Sequence, residues 1–151
     1  MSRRIRGLTL ASLAIAFAGA AGCVGSATPT RTPAYNQTDV RLGGGDEATT
    51  GKVISVNYTG WLHDPSQPEE KGAVFDSSVG GTPLTFTLGS GGVIAGWERG
   101  VPGMRVGGLR RLVIPPSLAY GAARNGPLPP YASLVFDIEL VSVAAAAQRD
   151  R

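Results

Sequence analysis

The chain has 151 residues, enough for one domain of ordinary size and some additional chain. Its content of 42% hydrophobic and 17% charged residues is that of a globular protein and excludes an intrinsically disordered one. The formal net charge of +3 comes from Arg3, Arg4 and Arg6, since the other basic residues equal the 11 acidic ones in number. A nucleic-acid-binding surface is therefore not predicted.

The first 22 residues have the layout of a secretory signal peptide. The arginines precede an apolar run, residues 8–18, that is shorter than the roughly 20 residues of a bilayer span. The segment Ala20–Cys23 resembles the bacterial lipobox, in which the cysteine becomes the lipidated first residue of the mature chain, although leucine is usual where Ala20 stands. An ordinary cleaved signal with an incidental cysteine is the alternative. Ser2-Arg3-Arg4 leaves twin-arginine export open beside the general route.

The chain is accordingly expected to have four parts. These are a signal peptide at residues 1–22, a lipid-anchored flexible tether at 23–37, a folded domain at 38–143 and a disordered tail at 144–151. Two prolines and few apolar residues favour an unstructured tether. Cys23 is the only cysteine, so it cannot form a disulfide within the chain. The predicted location is the cell envelope, with lipidated Cys23 anchoring the exported protein to a bacterial membrane.

Alternation of apolar and polar residues predicts five or six strands in the domain. They are expected at residues 38–42, 52–62, 73–77, 84–88, 105–114 and 133–143. In the fifth of these strands, Leu112 and Ile114 are expected to face inward and Arg111 and Val113 outward. Pro115-Pro116 should end that strand, because proline cannot donate to a ladder.

The remaining segments are rich in glycine, proline or polar residues. Residues 63–72 form a polar connection whose single histidine lacks metal-ligand spacing, so no metal site is predicted. Gly89–Gly100 contains five glycines around Trp97 and is expected to form a loop and a short helix over residues 94–99 that ends at Gly100. Residues 117–131 are expected to form a loop that carries Tyr120 and Leu128.

These elements define a fold class. A single antiparallel sheet with one apolar face must cover that face. Because no second set of strands and no long helix is predicted, the sheet is expected to curl around the short helix. The prediction is an α+β fold, an antiparallel half-barrel of five or six strands around one short helix, with Trp97 at the concave centre.

The sequence offers aromatic side chains rather than a nucleophile or an acid–base pair. It has no histidine partner for a serine, no CxxC and no phosphate-binding loop. The aromatic residues expected at the concave face are Tyr58, Phe75, Phe86, Trp97, Tyr120 and Phe136. They are either the core of a small domain or the lining of a pocket, and the loop position of Tyr120 favours a pocket. Asp76 is either a carboxylate at the rim of that pocket or a turn cap.

Six motifs, in this order, carry a resemblance to a known family. They are VNYTG (56–60), VFDSS (74–78), GVIAGWERG (92–100), MRVG (104–107), AYG (119–121) and PPYASLVFD (129–137). Over residues 38–143 the chain resembles the FK506-binding (FKBP-type) peptidyl-prolyl isomerases. The resemblance implies an FKBP-like fold, isomerase activity on X–Pro bonds, no cofactor, a monomer, and inhibition by macrolides of the FK506 and rapamycin type.

The resemblance also implies roles for single residues. Trp97 would lie under the proline ring, and the Ile94 amide and the Tyr120 hydroxyl would bind carbonyl oxygens. Asp76 would act on the rotating carbonyl through neighbouring groups. The other substrate-binding residues implied are Tyr58, Phe75, Phe86, Val93, Leu128 and Phe136. Leu84 stands where many members have an aromatic residue, and the loop before Pro127 is about one residue shorter than in the family.

Two functions are compatible with this sequence. The first is a peptidyl-prolyl cis-trans isomerase acting on proline-containing exported polypeptides. The second is a non-catalytic, lipid-anchored chaperone or binding module that uses the same apolar cleft. The implied set of pocket residues is filled, and this favours the enzyme.

Overall fold

The computed structural model describes residues 31–145. The predicted signal peptide, Cys23 and most of the predicted tether and tail lie outside the described residues. Within the described range, no helix is both long enough and apolar enough to cross a bilayer.

Six strands and one α-helix form the part of the chain that the structure describes. The strands are β1 (Asn36–Arg41), β2 (Val53–His63), β3 (Lys71–Ser77), β4 (Leu84–Thr87), β5 (Leu109–Ile114) and β6 (Leu134–Ala144). The helix, α1 (Ala95–Gly100), follows β4, and single 3-10 turns lie at Pro68–Glu70 and Pro116–Leu118. β1 begins at Asn36, so residues 36 and 37, which were predicted as the end of the tether, belong to a strand.

All six strands belong to one antiparallel sheet, in the order β1-β5-β6-β2-β3. β2 pairs along its length with β6, from Val53 opposite Ala144 to Leu62 opposite Leu134. Its other edge is shared, because β4 pairs with residues 53–56 and β3 with residues 59–63. The sheet is not closed. The predicted α+β half-barrel with one short helix is therefore confirmed.

The core lies between α1 and the apolar face of the sheet. Four alternate residues of β6 are at most 3% exposed: Leu134, Phe136, Ile138 and Leu140. They pack with residues of β2 and β5 and with Trp97 in one cluster. Burial of an aliphatic side chain of this size contributes about 1.5–3 kcal/mol, so this cluster is the main source of stability. The opposite side of the sheet, which carries Arg111 and Asp137, is called the outer face below.

The short helix lies directly on β5 because two of its residues are glycines. A Cβ atom on Gly96 would stand 2.6 Å from Cγ2 of Ile114, and one on Gly100 would stand 2.6 Å from Cδ2 of Leu112. The helix ends at Gly100, as predicted, but Gly100 is itself helical and is not a left-handed cap, and Val101 continues in helical geometry. Gly100 is required for close packing rather than for termination.

The fifth strand differs from its prediction in two ways. It begins at Leu109, because residues 105–108 form a turn in which the Gly108 amide donates to the Arg105 carbonyl at 2.8 Å. Gly107 adopts a φ of 86° in this turn. Val113 lies on the outer face, as predicted, but it is only 8% exposed there and pairs with the fully buried Val135 at the centre of the sheet.

The polar connection between β2 and β3 is shorter than the predicted 63–72 segment. His63 and Lys71 pair with each other as the ends of their strands. Glu69, which has a φ of 56°, is held by Lys71 at 2.9 Å and by Arg111 at 3.0 Å. The connection is therefore attached to the outer face by ion pairs.

Candidate functional site

A cleft of about 200 Å³ opens over the indole of Trp97. Its lining comes from four strands, the loop that precedes α1, α1 itself and the loop after β5: Tyr58, Phe75, Asp76, Leu84, Gly92, Val93, Ile94, Trp97, Tyr120 and Phe136. The structure thus brings eight of the ten predicted site residues to one place. Phe86 and Leu128 are not among them.

The base of the cleft is a cluster of aromatic rings in edge-to-face contact. The centroid of Trp97 lies 5.1 Å from that of Tyr58 and 5.3 Å from that of Phe136, with interplanar angles of 79° and 89°. This arrangement is the one that the charge distribution of aromatic rings favours. Trp97 is 3% exposed, so it belongs to the core and to the base of the cleft at once. Its Nε1 is buried without an acceptor within residues 31–145.

Gly60 on β2 makes room for one wall of the cleft. The rings of Phe75 and Phe136 meet at 5.6 Å and 84° beside it. A Cβ atom on Gly60 would stand 2.7 Å from Cζ of Phe75 and 2.8 Å from Cε1 of Phe136. The sequence reasoning gave Gly60 no role of its own, although a glycine inside an alternating strand often marks such a close approach.

The two predicted residues outside the cleft lie immediately behind or beside it. Phe86 packs on Trp97 at 6.0 Å, while Leu84, two residues earlier on β4, lines the cleft instead. Leu128 is 3% exposed. It lines an adjoining hollow of about 280 Å³ together with Phe75, Asp76, Tyr120, Asn125 and Pro127.

Tyr58 and Asp76 form a hydrogen-bonded pair at the rim. The Tyr58 hydroxyl donates to Oδ2 of Asp76 at 2.5 Å. Burial of the phenol, followed by its hydrogen bond to this carboxylate, raises the pKa of Tyr58 to about 12. The phenol therefore keeps its proton at neutral pH. No turn amide within the described residues donates to the Asp76 side chain, so Asp76 is a rim carboxylate rather than a turn cap.

Two hydrogen-bond donors at the cleft have no protein acceptor within the described residues. Ile94 precedes α1 in extended geometry, and its carbonyl accepts the amides of Trp97 and Glu98 at 2.9 and 3.2 Å. Its own amide donates to no atom of residues 31–145. The hydroxyl of Tyr120 likewise donates to no atom of residues 31–145, and this residue is 38% exposed.

Glu98 fixes the loop that leads into the cleft, and the sequence reasoning did not identify it. Its carboxylate accepts the amide of Gly89 at 2.6 Å and that of Gly91 at 2.9 Å. Both glycines have left-handed φ values, 85° and 76°, which other residues rarely adopt. Charge-assisted bonds of this kind are stronger than neutral ones. Glu98 thereby sets the path of the chain into Ile94.

The chemistry available at the cleft is burial of an apolar ring and donation of hydrogen bonds. The described residues contain no group of three His, Cys, Asp or Glu side chains arranged to hold a metal ion. The aromatic walls and the two free donors would suit a small ring that is flanked by carbonyl groups.

Known proteins are similar to this chain in sequence and in fold. The family model for the FKBP-type peptidyl-prolyl cis-trans isomerase matches residues 44–141. The chain is 49% identical over 107 residues to the FK506-binding protein of Neisseria meningitidis serogroup B, covering 70% of this chain and 92% of that protein. It is 52% identical over 103 residues to a peptidyl-prolyl cis-trans isomerase of Saccharomyces cerevisiae, covering 67% and 72%. The crystal structure of FkpA from Escherichia coli matches with a TM-score of 0.63 and 41% identity, over 74% of this chain and 49% of FkpA.

Proposed function

Because this chain belongs to the FKBP-type peptidyl-prolyl cis-trans isomerase family, we propose that it binds the proline of an X–Pro bond in the cleft over Trp97 and accelerates rotation there. The observation that carries this proposal is the combination of aromatic walls with unused donors at Ile94 and Tyr120. A proline ring is small and apolar, and carbonyl groups flank it in the chain. The cleft of about 200 Å³ is of a suitable size for such a ring.

The barrier to be lowered is that of amide resonance. Rotation about a peptide bond costs roughly 18–20 kcal/mol, and an X–Pro bond isomerises unaided in tens to hundreds of seconds. Twisting the bond localises the nitrogen lone pair and makes the amide less polar. An aromatic cleft that excludes water therefore favours the twisted amide over the planar one.

Different residues of the cleft bind different parts of the substrate. Trp97 supports the proline ring, while the Ile94 amide and the Tyr120 hydroxyl hold carbonyl oxygens on either side of the rotating bond. Asp76 acts through Tyr58, because it accepts and orients the Tyr58 hydroxyl at 2.5 Å. The raised pKa of Tyr58, about 12, keeps that hydroxyl protonated and donating to Asp76. Macrolides of the FK506 type are expected to compete for the same cleft.

The proposal is tested by cis-to-trans rates on an Xaa-Pro peptide. Trp97→Ala is expected to lower kcat/KM by roughly a hundredfold, because the ring loses its support and its alignment. Trp97→Leu keeps apolar bulk in the core and should lose activity with less loss of stability. Trp61→Phe, a tryptophan outside the cleft, is the control and should leave the rate unchanged. Full activity in both Trp97 variants would refute the proposal, and FK506 binding without turnover in the wild type would favour a binding module instead.

We also propose that Cys23 carries a lipid anchor and that the substrates are exported polypeptides. The support is the sequence: basic residues, a short apolar run and then small residues precede the only cysteine. Metabolic labelling with a radioactive fatty acid should mark the wild-type protein and not Cys23→Ser. Equal labelling of the two proteins, or none in either, would contradict the anchor.

A further inference from the structure

Tyr35 lies against the helix that carries Trp97. It precedes β1 and stands outside residues 44–141, the range that the family model matches. The guanidinium of Arg99 lies over its ring, 4.5 Å from the centroid. Its hydroxyl lies 3.4 Å from the Gly96 carbonyl oxygen and 3.1 Å from Oε1 of Gln37. The segment before the sheet therefore reaches α1 through one side chain.

The helix has room for Tyr35 only because of a glycine. A Cβ atom on Gly100 would stand 2.5 Å from the Tyr35 hydroxyl oxygen. Tyr35 is partly buried and packs against the core cluster. Its burial raises its pKa, which keeps the hydroxyl a neutral donor. Tyr35 thus fills a fitted site on α1 rather than an open surface.

The helix depends on such contacts for its position. It has six residues, far fewer than the roughly 12–15 that an isolated helix needs to be even marginally stable in water. Gly96 and Gly100 lie against Ile114 and Leu112 of β5, and Tyr35 meets the same two glycines. Any tilt of α1 would move Trp97 and, at the start of the helix, the Ile94 amide.

We propose that Tyr35 is a positioning residue for isomerisation, which holds α1 on β5 and so fixes the base of the cleft and its amide donor. This proposal rests on the proposed function of the cleft. Asn36 pairs with Val113 in the adjacent β1–β5 register, so Tyr35 is held in place by the sheet on one side and by α1 on the other. The chain just before the matched domain is, on this view, part of the working enzyme.

The test compares Tyr35→Ala, Tyr35→Phe and the control Asn36→Ala in the full chain, at a temperature where circular dichroism shows each protein folded. Tyr35→Ala is expected to lower kcat/KM about tenfold and to weaken FK506 binding, since small misplacements from a distant change are costly. Tyr35→Phe keeps the ring on Arg99 and should stay within about twofold of the wild type, and so should Asn36→Ala. Tyr35→Leu replaces Tyr35→Ala if the alanine variant does not fold, and the same direction of change is expected.

A second readout separates positioning from stability alone. In a Trp61→Phe background, all tryptophan emission comes from Trp97. Tyr35→Ala should shift that emission and increase its quenching by acrylamide, and Tyr35→Phe should not. Unchanged emission and an unchanged kcat/KM in Tyr35→Ala, with activity still lost in the Trp97 variants, would overturn only the role of Tyr35. Full activity in the Trp97 variants would overturn both proposals.

Discussion

The outer face of the sheet and the cleft differ in whether their polar groups have hydrogen-bond partners in the protein. On the outer face, Asp137 accepts hydrogen bonds from Lys71 at 2.7 Å and from Arg111 at 2.7 and 3.0 Å. In the cleft, the Ile94 amide and the Tyr120 hydroxyl have no acceptor within the described residues. Paired polar groups stabilise a fold, whereas donors without a protein acceptor at a cleft are available to a ligand.

This difference implies a separation of stability from activity. An unsatisfied buried donor such as Nε1 of Trp97 costs about 1–3 kcal/mol, which packing elsewhere must offset. Changes on the outer face should therefore alter the free energy of unfolding and leave the rate intact. Changes at the cleft donors should do the reverse.

Removal of the central carboxylate of the outer face should have the largest effect on stability. Asp137→Ala leaves Lys71 and Arg111, whose side chains are 16% and 19% exposed, with only Glu69, which is 56% exposed, as a shared partner. The free energy of unfolding should fall by about 3 kcal/mol, because two largely buried charges lose their more buried partner and the exposed Glu69 compensates only in part. Urea unfolding measures this loss, and kcat/KM below the transition should not change.

Glu139→Ala is the matched control on the same strand and the same face. Its partner Arg41 and Glu139 itself are 55% and 40% exposed, so the loss should stay below about 1 kcal/mol. Equal losses in the two variants, or a slower enzyme in Asp137→Ala, would contradict the separation between the two faces.

The same carboxylate predicts a dependence of stability on pH. Burial alone would raise the pKa of Asp137, but the hydrogen bonds from Arg111 and Lys71 outweigh it and hold the pKa below its usual range. A depressed folded-state pKa adds stability above the unfolded pKa, about 3.9, and this stability is lost as the pH falls through the folded value. The difference in unfolding free energy between the wild type and Asp137→Asn should shrink from pH 6 to pH 3. A difference that stays constant or grows on acidification would count against this assignment.

Loosening of the loop before α1 should lower kcat/KM by a smaller factor than the Trp97→Ala and Tyr35→Ala substitutions do. Glu98→Ala removes the acceptor of the Gly89 and Gly91 amides, and kcat/KM should fall roughly fivefold, the equivalent of about 1 kcal/mol. Glu98→Gln keeps one acceptor oxygen and should lose about twofold. Ser90→Ala lies in the same loop and leaves both Glu98 bonds intact, so it serves as the control. Peptide isomerisation rates identical to the wild type in Glu98→Ala would show that the loop needs no such support.

The smallest effect on kcat/KM is expected from Tyr120, at the rim of the cleft. Tyr120→Phe removes one hydrogen bond to the substrate, and kcat/KM should fall about threefold, within the range that a single neutral bond contributes. Stability should not change, because the Tyr120 hydroxyl bonds to no atom of the described chain and the residue is 38% exposed. A lower urea midpoint in Tyr120→Phe, with an unchanged rate, would reverse its assignment from the cleft to the fold.

Much of this architecture could be predicted from residues close together in the sequence. The period-2 alternation of β2 and β6 predicted their strands to within one residue at each end, because the side chains of a strand alternate between its two faces. Most of the cleft lining followed from the aromatic residues and from six motifs with a known family resemblance.

The errors in the fifth strand have different causes. The turn at residues 105–108 contains Gly107-Gly108, a turn signal that the alternation of the following strand outweighed in the prediction. Val113 sits on the polar side of the alternation and is buried by its place at the centre of the sheet. Local pattern carries no information on which strand becomes central.

The sequence by itself determined the number and type of elements, the absence of a catalytic nucleophile motif, and the family. The tertiary structure alone decided several contacts that no motif or alternation pattern indicates. Glu98 binds the loop in front of it, Tyr35 reaches Gly96 61 positions away, and Lys71 reaches Asp137 66 positions away. The physical reason is that strand and helix patterns act between residues a few positions apart. Contacts such as these depend on where whole elements pack, and glycines such as Gly60 and Gly100 show their role only when a neighbouring side chain fills the space.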